Sequence, residues 1–409
     1  MPQYLSPGVY VEEVESSIQP IAGVGTSTAG FVGAVANDVT MPVIPGRFRT
    51  NDTTGALVDD AGNPLAPGAA PIPLHYEVAP ANEPRLVTSW ESFKTQFGDF
   101  QPGNQTLAHA VYGFFNNGGT RCWITRVPAL DADTAGDALD GFDAIDEIAL
   151  VAVPGAVDAA TQSAVVAHCE RMGDRFAVLD GQRHPPQWTP GAIKGTAQDS
   201  NYAALYFPWI VVYDPVTGEE LAVPPSGHVA GIYARVDAER GVHKAPANEP
   251  VRGALRVESR LGRADQDGLN PAGINVIRDL NGTITVWGAR TLGGDGNGEW
   301  KYINIRRLFL YLRESIDEGT QWVVFEPNTP ALWSKITRNV TAFLTNVWRD
   351  GALFGNTPGE AFYVRCDAST NPPELRDLGQ VVTEVGVAVA RPAEFVIFRI
   401  SQWEGPSAA

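Results

Sequence analysis

Apolar residues recur along this chain with two periods, one helical and one strand-like, and the switches between them mark out its elements. The clearest succession lies in residues 300–366. A helical pattern covers 303–316 and stops at Glu318-Gly319. A short apolar run, Trp322-Val323-Val324-Phe325, reads as a strand that ends at Pro327. A second helical pattern covers 331–348 and stops at Asp350-Gly351, and a strand-like run at 361–366 follows. The pattern predicts a helix–strand–helix–strand block, dense in aromatics and poor in catalytic residue types. That combination points to a structural part.

The second helix of the block is the most informative. Leu332, Trp333, Ile336, Val340, Phe343, Leu344 and Val347 fall on one broad face. Lys335, Arg338, Ala342, Thr345 and Arg349 recur at three- and four-residue steps on the other, as helical geometry requires of one stripe. Three cations in a line fit a solvated helix face, or a docking ridge for an acidic partner surface.

Upstream, residues 1–20 alternate, with Tyr10, Glu12 and Val14 set against Val9, Val11 and Glu13, and Pro2, Pro7 and Pro20 exclude a helix. This reads as an extended arm whose strand pairs far away or with another chain. In 21–36 the run Phe31-Val32-Gly33 predicts a buried strand entering the body. Prolines crowd 37–84, and Asp59-Asp60-Ala61-Gly62-Asn63 has turn chemistry; this predicts a surface insertion of hairpin type. Residues 85–240 read as α/β, with strands expected at 122–127, 148–153, 176–180 and 209–213 and helices near 89–93, 107–115, 158–172 and 226–239. Such an order implies a sheet covered on both faces. A further strand is expected at 284–287. The tail holds two apolar runs separated by Arg391-Pro392. The second, Glu394 with Phe395, Val396, Ile397, Phe398, Arg399 and Ile400, is apolar on both faces and needs a partner to cover it.

Composition adds bounds. A chain of 409 residues has room for two or three domains. No run of about 18 uncharged apolar residues occurs, so membrane insertion is not expected. The first residues lack the basic and apolar regions of a signal peptide. Cys122, Cys169 and Cys366 are few and far apart, which predicts no disulfide frame and no zinc site, in a protein made in a reducing cytoplasm. The net charge of −17 argues against nucleic acid as a partner. Residues 1–240 hold 12 basic and 28 acidic residues, a net of −16, and 241–409 hold 18 and 19, a net of −1. This suggests one solvated, mutually repelling region and one near-neutral region that packs against partners.

Candidate chemistry is thin. Gly293-Gly294-Asp295-Gly296-Asn297-Gly298 lacks the Gly-Lys-Ser/Thr ending of a phosphate loop. Asp265-Gln266-Asp267-Gly268 has Asn270 and Val276 where a calcium loop needs Gly and Glu. Asp180, His184 and His243 could serve a hydrolase, but no Gly-x-Ser-x-Gly elbow accompanies them. No catalytic residue, cofactor or metal is expected.

Several segments together resemble the sheath subunit of contractile tails, a family spanning phage tail sheaths, R-type bacteriocins and extracellular contractile injection systems. They are Ser6-Pro7-Gly8-Val9-Tyr10-Val11-Glu12-Glu13, Gly241-Val242-His243-Lys244-Ala245-Pro246-Ala247-Asn248 and Leu269-Asn270-Pro271-Ala272-Gly273-Ile274-Asn275. Trp287-Gly288-Ala289-Arg290-Thr291-Leu292, the 300–366 block and Pro392-Ala393-Glu394-Phe395-Val396-Ile397-Phe398 complete the set. The order of these motifs along one chain is specific, although the resemblance is loose over 85–240 and absent over 37–84.

The resemblance implies a mixed α/β protein. Its inner, tube-facing sheath domain (241–390) is built with the N-terminal region, its acidic α/β domain (85–240) is inserted outward, and its terminal β-arms lie at 1–20 and 391–409. It implies arms that add strands to neighbouring copies through Val9, Tyr10, Val11, Phe395, Val396, Ile397, Phe398 and Ile400, and a tube-gripping ridge of Lys335, Arg338 and Arg349. The implied partners are other copies in stacked hexameric rings, an inner tube protein, and baseplate and terminal cap proteins. The expected setting is an assembled phage tail or tail-like particle. Competing readings are another self-assembling shell or surface-layer protein and a degenerate subtilisin-like hydrolase.

Overall fold

The computed structural model describes residues 20–195 and 197–399. The expected arm residues Val9, Tyr10, Val11 and Ile400 lie outside them. The chain forms a mixed α/β structure divided into two compact units. Among the described residues, one takes 20–24 together with Leu312–Val389, and the other takes Gly25–Tyr311 and 390–399.

The larger unit is built on a nine-stranded sheet. Its spatial order is Glu249–Pro250, Thr283–Val286, Ile274–Leu280, Ala203–Phe207, Phe176–Asp180, Leu150–Ala152, Ala29–Ala34, Cys122–Val127 and Arg85–Val87. The six strands from Ile274–Leu280 to Cys122–Val127 run parallel, and the strands at both margins are antiparallel to their neighbours. Central strands such as Phe176–Asp180 and Ala203–Phe207 are buried at every position, as expected for parallel strands with helices on both faces. Along Ala29–Ala34 the side chains alternate between two cores. Phe31 joins Leu107, Val111 and Phe114 of the helix Gln105–Asn116, and Val32 joins Leu139 of Ala132–Asp140 and Val165 of Ala159–Met172.

The helices Gln105–Asn116 and Ser226–Arg240 cross closely because glycines line their contact. A Cβ on Gly231 would lie 2.4 Å from Phe114 O, and one on Gly227 would lie 2.4 Å from Ala110 O.

The boundary expected at residue 240 is corrected. Strands Glu249–Pro250, Ile274–Leu280 and Thr283–Val286 belong to the same sheet as Phe176–Asp180. Residues 241–311 therefore fold with the larger unit, and the division falls at 311/312. The shift in charge along the sequence reports the surface, and backbone pairing ignores it.

In the Pro-rich segment, Val43–Phe48 pairs antiparallel with Pro73–His75 in a largely exposed two-stranded ribbon.

The smaller unit holds the last turns of the helix Ile303–Thr320, the helix Pro330–Arg349, and a two-stranded sheet of Phe362–Arg365 and Glu384–Val387. Ile21 is buried against Gly319, and Val24 N–H donates to Ser315 Oγ at 3.1 Å. The strand expected at Trp322-Val323-Val324-Phe325 is absent. Gln321–Val323 instead forms a 3-10 turn directly after the helix. Val324 N–H donates to Gln321 O and Glu326 N–H to Val323 O, so the backbone groups a strand would offer are spent on tight turns. Trp322 Nε1 adds a bond to Gly319 O at 3.1 Å. Phe325 takes φ 68 with its ring wholly in solvent, an uncommon conformation for a bulky residue.

Candidate functional site

The helix Pro330–Arg349 brings the three expected cations onto one stripe. Pro330 occupies the first turn, where its missing N–H costs no hydrogen bond. Each end is pinned by an indole: Trp333 Nε1 donates to Asn328 Oδ1 at 2.8 Å and Trp348 Nε1 to Gly355 O at 2.9 Å. Leu332, Trp333, Ile336, Val340, Phe343, Leu344 and Val347 are buried, as their spacing predicts. Arg338 and Arg349 are exposed and Lys335 is half-buried. Lys335 and Arg349 are 14 positions apart, about 21 Å at the helical rise of about 1.5 Å per residue. No acidic side chain occurs in this helix, and among the described residues none of the three cations forms a salt bridge. The stripe carries cations at both ends, with neutral Ala342 and Thr345 between Arg338 and Arg349, and lies opposite the apolar face.

The C-terminal residues 391–399 carry no strand, and Phe395, Val396, Ile397 and Phe398 are 69–83% exposed. Four consecutive apolar side chains in solvent are unusual for a finished surface. The sheet of Phe362–Arg365 and Glu384–Val387 has two strands. Just past its second strand Leu353 bridges Val389 and Phe354 N–H donates to Ala388 O at 2.7 Å, and no further strand of the described chain joins it. Exposed Phe354, Tyr363 and Leu378 lie in the same unit. Sequence reasoning missed these three, because single apolar residues in loops and on edge strands carry no periodic signal.

Several of the residues considered for enzyme or ligand chemistry make structural contacts. Asp180 is buried and accepts from Gly155 N–H at 3.0 Å, Ser226 N–H at 2.8 Å and Ser226 Oγ at 2.7 Å. It therefore joins the loop after Leu150–Ala152 to the start of the helix Ser226–Arg240. Burial pushes its carboxyl up to about 6 against the pull of those donors. His184 is exposed, 3.7 Å from Glu258. His243 offers its carbonyl to Asn304 Nδ2 at 2.8 Å. Asp265 caps its own helix, Arg263–Leu269, by accepting from Gly262 N–H at 2.7 Å. The Gly-rich run packs backbone on backbone: a Cβ on Gly294 would lie 2.2 Å from Pro271 O. Asp140, Asp143 and His168 cluster closely enough to suggest a cation site, but Arg171 already binds both carboxylates. The three cysteines are buried and free. No helix among the described residues is long and apolar enough to cross a membrane.

Residues 131–292 match the phage tail sheath protein central domain, and residues 295–402 the phage tail sheath C-terminal domain. A prophage major tail sheath protein of Pseudomonas aeruginosa (strain UCBPP-PA14) is 26% identical over 257 residues, 59% of this chain and 63% of that protein. The tail sheath protein of Vibrio phage KVP40 is 26% identical over 56% of this chain and 34% of its own length. The matches thus span less than two thirds of these relatives. Solved structures match almost end to end. A chain of the anti-feeding prophage baseplate is 30% identical, with a TM-score of 0.72, covering 98% of this chain and 99% of that one. A chain of the PVC sheath complex in the contracted state, from an extracellular contractile injection system, is 27% identical with a TM-score of 0.73, covering 99% of each. With two family domains matched in sequence order over most of its length, the chain belongs to the contractile tail sheath family.

Proposed function

We propose that this protein is the structural subunit of a contractile sheath. It polymerises as stacked hexameric rings around an inner tube and contracts by rigid-body rearrangement of subunits, driving the tube through a target envelope. The observation that carries the reading is the exposed run Phe395, Val396, Ile397 and Phe398 in a chain that also holds a two-stranded sheet joined by no further described strand. An exposed apolar segment outside any sheet and a two-stranded sheet complement each other when the segment of one copy adds as a strand to the sheet of the next. Intramolecular pairing would leave nothing for a neighbour, so the vacancy favours assembly.

The positive stripe of Lys335, Arg338 and Arg349 is the candidate grip on the tube. It offers charge complementarity that sets orientation and can be released without breaking a core. The face of the helix Pro330–Arg349 that carries the stripe would then meet the tube. Baseplate and cap proteins would meet the sheath at its ends. The energy of contraction comes from subunit contacts better satisfied in the short state, with no nucleotide. Related chains solved in baseplate and contracted-sheath assemblies support this reading.

Negative-stain microscopy of the purified full chain tests it. Hollow tubes are expected; flat sheets or closed cages would favour a surface-layer or shell protein instead.

A further inference from the structure

The residue immediately before the exposed C-terminal run is one of the most heavily bonded side chains of the larger unit. Glu394 Oε1 accepts from Arg290 Nε at 2.8 Å and from Asn270 Nδ2 at 2.7 Å. Its Oε2 accepts from Arg290 Nη2 at 2.9 Å and from the Tyr302 hydroxyl at 2.8 Å. Every lone-pair direction that a carboxylate commonly uses is thereby occupied.

The socket is built without help from the tail. Arg290 is only 3% exposed. Its Nη1 donates to Asn270 O and to Asp295 Oδ1, both at 3.1 Å. Its backbone is held from both sides by Asn275 on the strand Ile274–Leu280: Arg290 N–H donates to Asn275 Oδ1 at 2.7 Å, and Arg290 O accepts from Asn275 Nδ2 at 2.8 Å. A guanidinium fixed in this way presents a rigid fork for one carboxylate. The tail is also touched at Ala390, whose carbonyl accepts from Asn304 Nδ2 at 3.4 Å. Burial acts to raise the Glu394 carboxyl, but the hydrogen bonds from Arg290, Asn270 and Tyr302 outweigh it and hold it below the usual range.

A segment with no secondary structure does not need such a fixture to stay folded, and the four residues after it touch little. The contrast between a saturated side chain and its exposed neighbours marks a boundary between what is anchored and what reaches out. We propose that Glu394 is the positioning residue of the C-terminal arm: its clasp with Arg290, Asn270 and Tyr302 roots the arm in the larger unit and fixes where the run from Phe395 to Phe398 begins. Register is the reason this matters. A slip of one residue exchanges the two faces of an added strand, so an arm with a loose origin would add to a neighbour's sheet in mixed registers.

This inference rests on the arm reading above, and the test separates the two. Spin labels at Val396→Cys and Leu255→Cys, both exposed positions associated with the larger unit, give a distance distribution in the unassembled full chain; the three native cysteines are buried. The distribution is expected to be narrow with Glu394 intact and to broaden by about twofold or more in Glu394→Gln, as a tethered segment released locally would. It should broaden less in Tyr302→Phe, which removes one donor, and this variant decides the matter if Glu394→Gln does not fold. Both variants should assemble with lower yield and with mixed order along the sheath. Equal widths in all three proteins would overturn the clasp. Broadened widths with assembly of normal yield and order would overturn its positioning role. Sheaths formed by a chain lacking 394–409 would overturn the arm reading and leave the width result standing.

Discussion

Reversing the positive stripe should detach sheath from tube without unfolding the subunit. The perturbation is Lys335→Glu with Arg338→Glu, and Arg349→Gln in the last turn, where a carboxylate would oppose the helix dipole by about 0.3–1 kcal/mol. None of the three wild-type side chains forms a salt bridge among the described residues, and all lie off the buried face. The change in folding free energy should therefore stay within about 1 kcal/mol. At an interface each partly exposed charge contributes roughly 0.2–1 kcal/mol, and a reversal replaces attraction with repulsion. The set then amounts to about 2–4 kcal/mol per subunit, roughly 30-fold to nearly 10³-fold in affinity. In the proposed stacked rings the loss would be multiplied, because every subunit of a ring would engage at once. The assay is co-sedimentation of sheath subunits with preformed tubes at increasing salt, with thermal melting as the folding control. Wild-type binding should weaken with salt, since the Debye length shortens to about 3 Å at 1 M. Undiminished binding of the triple variant at physiological salt, with melting unchanged, would refute the grip and leave the stripe a solvated face.

Acidity should weaken the larger unit early. Burial and the neighbouring His109 push the His228 imidazole down to about 3, and burial, reinforced by Arg175, pushes His168 down to about 4. Both bind protons more readily when unfolded, so their stability contribution is complete above the unfolded value near 6.5 and falls as the pH drops below it, by about 2 kcal/mol each at pH 5. Asp180, raised to about 6, acts in the opposite direction over pH 6 to 4 and offsets only part of this. The melting temperature should be lower at pH 5 than at pH 7; a rise would contradict the burial of these rings. Gly231→Ala should cost about 1–3 kcal/mol in denaturant unfolding, because its Cβ would sit 2.4 Å from Phe114 O. Gly136→Ala, in the helix Ala132–Asp140 with nothing within 4 Å of the added Cβ, should instead gain about 0.5–1 kcal/mol.

Local pattern was enough for much of the fold. The strand at 122–127, the helix at 158–172 and the amphipathic helix at 331–348 appear with ends shifted by two residues at most, because each carries its own period and its own stop. The pattern failed where non-local pairing decides. Ala203–Phe207 is a central strand, yet its two alanines give little strand signal, and neighbours on both sides make it one. Trp322-Val323-Val324-Phe325 has the strand composition, but it lacks a partner and turns instead. The boundary at 311/312 lies inside the helix Ile303–Thr320, where no composition shift could mark it. At the candidate site, the cation stripe was readable from helical spacing. The Glu394 clasp was not, since Arg290 and Glu394 are 104 positions apart and only folding makes them neighbours.

Strand addition between copies is the centre of this account, and cross-linking tests it most directly. A photoactivatable residue at Val396, in a chain that still assembles, should yield in assembled particles a covalent dimer linked to Phe362–Arg365 or Glu384–Val387 of a neighbouring copy, identified by mass spectrometry. Dilute unassembled subunits should give no dimer. Well-formed sheaths in which Val396 cross-links only within its own chain would contradict the account.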